Sequence, residues 1–380
     1  GGNDTYRVDD ADDRIVESIR GGFDTVQSSI DYTLDDHIER LLLTGKAGTG
    51  KGNAGTNQLV GNGAANILDG SGGDDLLDGA AGDDTMLGGA GSDGLLGGAG
   101  RDLLDGGSGA DFVIYDKSAA AVLVDLLRGS GFRGDAEGDR LVSIEAVFGS
   151  RWNDTLIGGN DRDLFVAAGG NDIAKGARGG DLLQGGDGHD RLYGDDGADN
   201  LNGDAGADRL YGGLGHDRIW GGGDRNLLYG GDGADRLYAD SGSGRLYGGN
   251  DNDLLYGGDT ADQLFGDGGN DRAYGGNGHD TVYGGDGADS LFGGSGNDRL
   301  DGSGGNDTLH ADIGNARIDG GVGDDAPHGG DGNDLLYGGA GNDSLDGGRG
   351  DDRLYIDIGQ HMVSGGSGVD VAYLSGGHAD

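Results

Sequence analysis

The sequence contains no Cys and a single Pro, Pro327. A disulfide framework and a thiolate zinc site are therefore excluded. No apolar run reaches the 18 or so residues that a membrane-spanning helix needs. Basic residues are scarce: 26 Lys and Arg stand against 69 Asp and Glu, for a formal net charge of −43. That balance excludes a nucleic-acid partner, since affinity for a polyanion comes mainly from Lys and Arg. Glu is scarcer still. Only Glu17, Glu39, Glu137 and Glu145 occur, which leaves 65 Asp. Leu, Ile, Val and Phe make up 76 of the 380 residues. With this charge, that places the chain at the border of disordered compositions.

What is abundant is Gly, with 94 residues. Its period is not three, so a collagen helix is ruled out. Asp has a short side chain that suits turns, whereas Glu is the better helix former. Many Gly and Asp together describe many turns that carry carboxylates. Hard oxygen ligands in such number suit Ca²⁺, which takes six to eight of them. A merely solubilising acidic surface has the same composition. Spacing separates the two readings.

From Gly149 to Tyr373 the chain divides into 25 blocks of nine without a gap. Gly185-Gly186-Asp187-Gly188-His189-Asp190-Arg191-Leu192-Tyr193 is one, and Gly284 to Phe292 is another. The pattern is Gly-Gly-x-Gly-x-Asp-x-aliphatic-x. Position 6 is Asp in 21 of the 25, with Asn226, Gly244, Ala316 and His361 as the exceptions. Seven further nonads run from Gly52 to Ile114. Their position 6 holds Asn57 and Asn66, then Asp75, Asp84, Asp93, Asp102 and Asp111.

Positions 7 to 9 predict a strand of about three residues, with position 8 facing inward and positions 7 and 9 outward. The Gly residues free the loop to adopt positive φ and expose carbonyls to an ion. One interior aliphatic residue per nonad does not offset the ordering of nine residues. Bound metal should supply the difference.

This pattern resembles the RTX (repeats-in-toxin, hemolysin-type) calcium-binding repeat, over about three quarters of the chain. The resemblance implies an all-β fold, a right-handed parallel β-roll with two nonads per coil. It also implies Ca²⁺ held between stacked turns by position-6 carboxylates and loop carbonyls. Residues 18 apart then share an edge. One edge carries Asp163, Asp181, Asp199, Asp217, Asp235, Asp253, Asp271, Asp289, Asp307, Asp325 and Asp343, and ends at His361. The other carries Asp154, Asp172, Asp190 and Asp208, fails at Asn226 and Gly244, and resumes at Asp262, Asp280 and Asp298. It fails again at Ala316 and returns at Asp334, Asp352 and Asp370. With the smaller block, consecutive Asp pairs number 20. About 20 Ca²⁺ would bring the charge of −43 close to neutral. Weaker or fewer ions are expected at residues 226, 244 and 316.

The expected organisation is a truncated repeat and strand-rich spacer (1–51), a first roll (52–114), a second spacer or cap (115–148), a second roll (149–373) and the start of another spacer (374–380). Both spacers are expected to hold longer strands, for example within Arg14 to Ile19 and Ile38 to Leu43. Asp4 sits at position 6 of a truncated repeat, and both ends look cut, as in a fragment of a longer protein. A monomer is expected.

Other motifs weigh less. Gly45 to Gly52 approaches a P-loop, but the Ser/Thr position is Gly52, so it reads as spacer. No H-E-x-x-H or G-x-S-x-G occurs, and no catalytic constellation is expected. His189, His216 and His279 read as solvated loop residues, and His310 and His328 as neighbours on one sheet. Position 9 is often aromatic. Tyr193, Tyr211, Tyr229 and Tyr247 should form one outward ladder, and Trp220, Tyr238, Tyr256 and Tyr274 another, with Arg at position 7 alongside. These ladders read first as cross-strand stacking. Second, they are a candidate face for a polysaccharide such as alginate, which RTX modules of alginate epimerases make plausible. The leading expectation is a non-enzymatic, calcium-binding scaffold. By resemblance it is secreted unfolded by the type I route of a Gram-negative bacterium and folds outside on meeting Ca²⁺. The alternative is the non-catalytic part of a larger secreted enzyme or toxin.

Overall fold

In the computed structural model, residues 1–18 and 21–374 are described, and they form two compact units, Gly1–Leu183 and Gln184–Asp380. Each is a parallel β-solenoid with two sheets. The only helical turn among the described residues is a 3₁₀ turn, Gly134–Ala136.

In the second unit, one sheet runs in parallel through Arg191–Gly197, Arg209–Leu214, Asn226–Asp232, Gly244–Asn250, Gln263–Gly268 and onward to Val371–Leu374. The other begins with Asn200–Ala205 and Arg218–Trp220 and continues to Met362–Ser364. Every rung is shifted by 18 residues, so Leu192 pairs with Leu210, and Leu210 with Leu228. Position 8 faces inward except in the last two nonads, where Val363 and Ala372 are exposed. Leu192, Leu201, Leu210, Ile219, Leu228 and Leu237 are wholly buried. Two nonads thus make one coil, because each nonad supplies one strand and one corner.

Most strands of the second unit are twice the expected length. Thr281–Asp286 and Ser290–Ser295 span positions 7 to 9 and the first three positions of the next nonad. The ladder therefore continues through the Gly-rich corner. Gly285 shows why position 2 demands Gly: its φ is +114°, and an added Cβ would run into the carbonyl oxygen of Asp267. Asp267 itself occupies position 2 with φ +71°, in the left-handed region that Asp tolerates.

In the first unit the spacers are built into the roll. Thr5–Val8, Thr25–Ser28, Arg40–Leu43, Gln58–Val60 and Leu76–Asp78 pair in parallel, in that order. Phe112–Ile114, Ala146–Phe148 and Leu164–Val166 continue the same sheet. On the other sheet an antiparallel hairpin intrudes: Leu123–Asp125 pairs with Ser130–Phe132, which meets Arg140. The spacer strands are two to four residues long, not longer than those of the nonads. Arg14 to Ser18 form no strand, and Ile19 lies outside the described residues. The near-P-loop contributes an ordinary strand, Thr49–Lys51, whose Lys51 pairs with Asp69. Of the expected last segment, only Leu374 is described; it closes the strand Val371–Leu374.

Candidate metal centre

Each corner of the roll brings a position-6 side chain inward, beneath the Gly at position 1. The Asp residues from Asp75 to Asp352 at this position are at most 4% exposed. Only Asp370, near the end, is half-buried. Their carboxylates form a regular rail. Along the rail the backbone N–H of one Asp donates to Oδ1 of the Asp 18 residues on, as from Asp75 to Asp93, Asp217 to Asp235 and Asp271 to Asp289, all at 2.7–2.8 Å.

The second oxygen is different. Oδ2 of Asp75, Asp84, Asp93, Asp102 and Asp111 is buried and accepts no hydrogen bond among the described residues. The same holds for Asp208, Asp217, Asp235, Asp253, Asp262 and Asp271, and for Asp280, Asp289, Asp298, Asp307, Asp325, Asp334 and Asp352. Buried carboxylate oxygens without partners are costly, and native structures rarely keep them. In most corners Oδ2 faces a carbonyl oxygen of the next coil. A Cβ on Gly275 would lie 2.6 Å from both Asp280 Oδ2 and the Gly293 carbonyl oxygen. On Gly203 it would meet Asp208 Oδ2 at 2.6 Å and the Gly221 carbonyl at 2.7 Å. Position 1 must lack a side chain because two oxygens converge there. An oxygen-lined cradle with no donor fits a hard divalent cation such as Ca²⁺.

The electrostatics agree. Burial, reinforced by neighbouring carboxylates, pushes Asp253 up to about 8, and Asp75, Asp235 and Asp307 up to about 7. The backbone N–H bond at Oδ1 opposes this but does not outweigh it. A row of ionised carboxylates in this setting calls for positive charge.

Several expected ligands are placed differently. Both oxygens of Asp154 are engaged, by the N–H groups of Val122 and Ser150 and by the Ser150 hydroxyl. Oδ2 of Asp163 accepts the N–H of Gly159. Asp172 and Asp181 in the first unit, and Asp190 and Asp199 in the second, are buried on the rail. Asp343 Oδ2 lies 3.2 Å from His361 Nδ1.

The exceptions at position 6 have a structural logic. Asn226 turns its Nδ2 toward the cradle and donates to the Gly223 carbonyl, so no acceptor points inward. At Gly244, Ala316 and His361 the position-1 residue is Ala239, Ala311 and Ile356. All three are buried. A side chain at position 1 thus fills the cradle where the carboxylate is gone. Ala167 is the one case that coexists with an Asp, Asp172.

Four rail members escape a count of nonads. Asp24 accepts the N–H of Asp4, Glu39 that of Asp24, Asp139 that of Asp102, and Glu145 that of Asp111. Each directly precedes a spacer strand whose second residue is apolar. The acid-x-aliphatic triplet is the signal that would have found them. Asp139 spends its other oxygen on the Tyr115 hydroxyl. Asp4, Glu17 and Asp24 bring ligand atoms within 4.8 Å of one another, and Asp24 Oδ2 is buried without a partner.

Position 5 forms a second, outer rail. Asn297, Asn315 and Asn333 each accept, through Oδ1, the N–H of the residue 18 positions on. His189, His216 and His279 do the same through Nδ1. They are exposed, as expected of loop residues, yet fixed in place.

The aromatic ladders are present on both sheets. Tyr193, Tyr211, Tyr229 and Tyr247 stack with centroids 4.8–5.0 Å apart and planes within 9°. Trp220, Tyr238, Tyr256 and Tyr274 stack at 5.0–5.7 Å. Arg245 and Arg299 lie over Phe265 and Tyr283. The ring faces are occupied by one another, and mainly their edges meet solvent. His310 and His328 are neighbours at 5.5 Å.

The model of the RTX calcium-binding nonapeptide repeat, in four-copy units, matches residues 51–113 and 145–360 in overlapping segments. No curated protein matches the chain. One similar solved structure is a hyperactive, Ca²⁺-dependent, beta-helical antifreeze protein from an Antarctic bacterium. It is 20% identical, with 92% of this chain and 86% of that chain covered and a TM-score of 0.23.

Proposed function

Since the chain belongs to the RTX calcium-binding nonapeptide-repeat family and is a calcium-binding β-roll, we propose that it is a calcium-gated structural scaffold. The observation that carries this reading is the row of buried Asp Oδ2 atoms that lack a partner and face carbonyl oxygens. Asp75 to Asp111 in the first block, and the rail from Asp154 to Asp370 in the second, would hold about 20 ions. Asp154 and Asp163, whose oxygens are already engaged, would contribute least. Bound Ca²⁺ supplies positive charge between coils. The chain itself supplies the spacing: the rail fixes Oδ1, and the bare Gly holds the cradle open.

Folding coupled to ion binding follows. Without Ca²⁺ the carboxylates repel one another and the thin core does not hold the coils. With millimolar Ca²⁺ the roll closes. RTX proteins are typically secreted, and such a switch suits export of an open chain by the type I route and folding outside the cell. The roll then acts as a rigid spacer with no chemistry of its own. No helix among the described residues is long and apolar enough to cross a membrane.

The test is circular dichroism during Ca²⁺ titration of the chelated chain. Strand signal should rise cooperatively with Ca²⁺. Equal strand signal in excess chelator would sink coupled folding. A polysaccharide face on the Tyr ladders ranks second, because a sugar would have to displace ring–ring contacts to reach an aromatic face.

A further inference from the structure

The inner rail fails twice in succession at Asn226 and Gly244, and the outer rail fails beside it. Position 5 on this edge holds Ala207, Arg225, Ser243 and Ala261, where other coils present Asn, Asp or His. A recess of about 840 Å³ opens at this place. Its lining includes Arg209, Arg225 and Arg245, with Gln263 and Thr260 beside them. Arg209 and Arg245 stand on alternate strands, on either side of Leu227 in the strand between them.

Four observations point to what fits there. The chain has 69 acids to 26 bases, yet this recess gathers three Arg against one lining carboxylate, Asp208. None of the three Arg forms an ion pair among the described residues. The Thr260 hydroxyl is buried and has no hydrogen-bond partner among the described residues. The N–H groups of Arg225, Ser243 and Ala261 take part in no hydrogen bond among the described residues; Ala207 and Arg225 offer the first two no acceptor from the coil before. Guanidinium forks, a hydroxyl and free backbone N–H groups are all donors. They match an oxyanion, which accepts several charge-assisted hydrogen bonds at once.

We propose that this recess is an oxyanion-binding site, for a carboxylate or sulfate group borne by an acidic sugar or present as the free anion. Arg209 and Arg245 clamp the group from the sheet, and Arg225 covers it from the corner. Gln263 accepts from Arg245 Nε at 2.7 Å, which fixes that guanidinium in place. The site lies on the turn edge and borders the aromatic ladder through Arg245, which lies over Phe265; of the cradle residues, Asp208 borders it.

The test is isothermal titration of the full chain in Ca²⁺ with sodium sulfate and, separately, with a galacturonate trimer. One saturable site is expected for at least one probe, and the tighter probe identifies the source of the anion. The triple variant R209Q/R225Q/R245Q should weaken binding roughly tenfold or more, since charged hydrogen bonds are lost. The triple variant R218Q/R236Q/R272Q removes the same charge from the other sheet and should bind as the parent does. Circular dichroism in Ca²⁺ must show both variants folded; if the first triple fails this, R225Q alone, at an exposed corner, replaces it. Absence of saturable binding up to about 10 mM of either probe, or loss of binding only in the second triple, overturns the proposal.

Discussion

Replacement of Gly275 by Ala isolates the cradle from the rest of the fold. Gly275 has an ordinary backbone conformation, so Ala brings no φ strain. Its Cβ would lie 2.6 Å from both Asp280 Oδ2 and the Gly293 carbonyl oxygen, inside van der Waals contact with the two atoms proposed to hold one ion. Gly275→Ala should therefore delete one Ca²⁺ and leave the chelated chain unchanged. If free Ca²⁺ stands at 100 times the dissociation constant, one lost ion removes about 2.7 kcal/mol of stability. The double variant Gly275→Ala with Asp280→Gly copies the natural pair Ala239 and Gly244. It removes the crowding along with the site, so it should be more stable than the single variant. Gly285→Ala is the contrast: at φ +114° it strains the backbone and meets the Asp267 carbonyl, so it should disrupt the coil whatever the Ca²⁺ level. Ion counts come from calorimetry on the full chain, and stability from thermal unfolding in Ca²⁺. A Gly275→Ala chain with the parent's ion count and melting temperature would refute the cradle.

Burial holds Asp253 protonated to about pH 8 and Asp75 and Asp235 to about pH 7 in the folded, metal-free chain, against an ordinary value of 3.8. The folded state then binds more protons than the unfolded one, so its stability is fully present below 3.8 and is lost as pH rises through 7 to 8. In chelator, small-angle scattering should show a more compact chain at the acid end of this window than above it; Ca²⁺ affinity should rise with pH over the same window. Equal compactness at both ends would contradict this. Asn226→Asp exchanges an inward donor for a carboxylate next to Asp208 and should add one ion by calorimetry; an unchanged count would show that the cradle there is closed for another reason. Leu228→Ala removes a wholly buried position-8 side chain and should cost about 2–5 kcal/mol in Ca²⁺, checked by thermal unfolding.

Much of this was legible because the repeat is strict. A period of nine with an aliphatic at position 8 leaves one way to bury Leu192, Leu210 and Leu228, and the structure pairs them at the expected shift of 18. The spacers were less legible because they break the period while keeping the local triplet: Asp24, Glu39, Asp139 and Glu145 stand on the rail without belonging to a nonad. The coupling of positions 1 and 6 at Ala239 and Gly244 is written in the sequence, but its meaning depends on knowing that the two face each other.

The sequence by itself determined the period, the inward face, the carboxylate rail and the need for a cation, since these follow from residue type and spacing. Only the tertiary structure decided how each carboxylate is used. Oδ1 is consumed by the coil before it and Oδ2 is left for an ion, because strands 18 residues apart stack in register. The same stacking turns the aromatic faces onto one another and opens a recess of Arg side chains where the rail fails. These are relations between coils, and a linear pattern contains the coils but not the contacts between them.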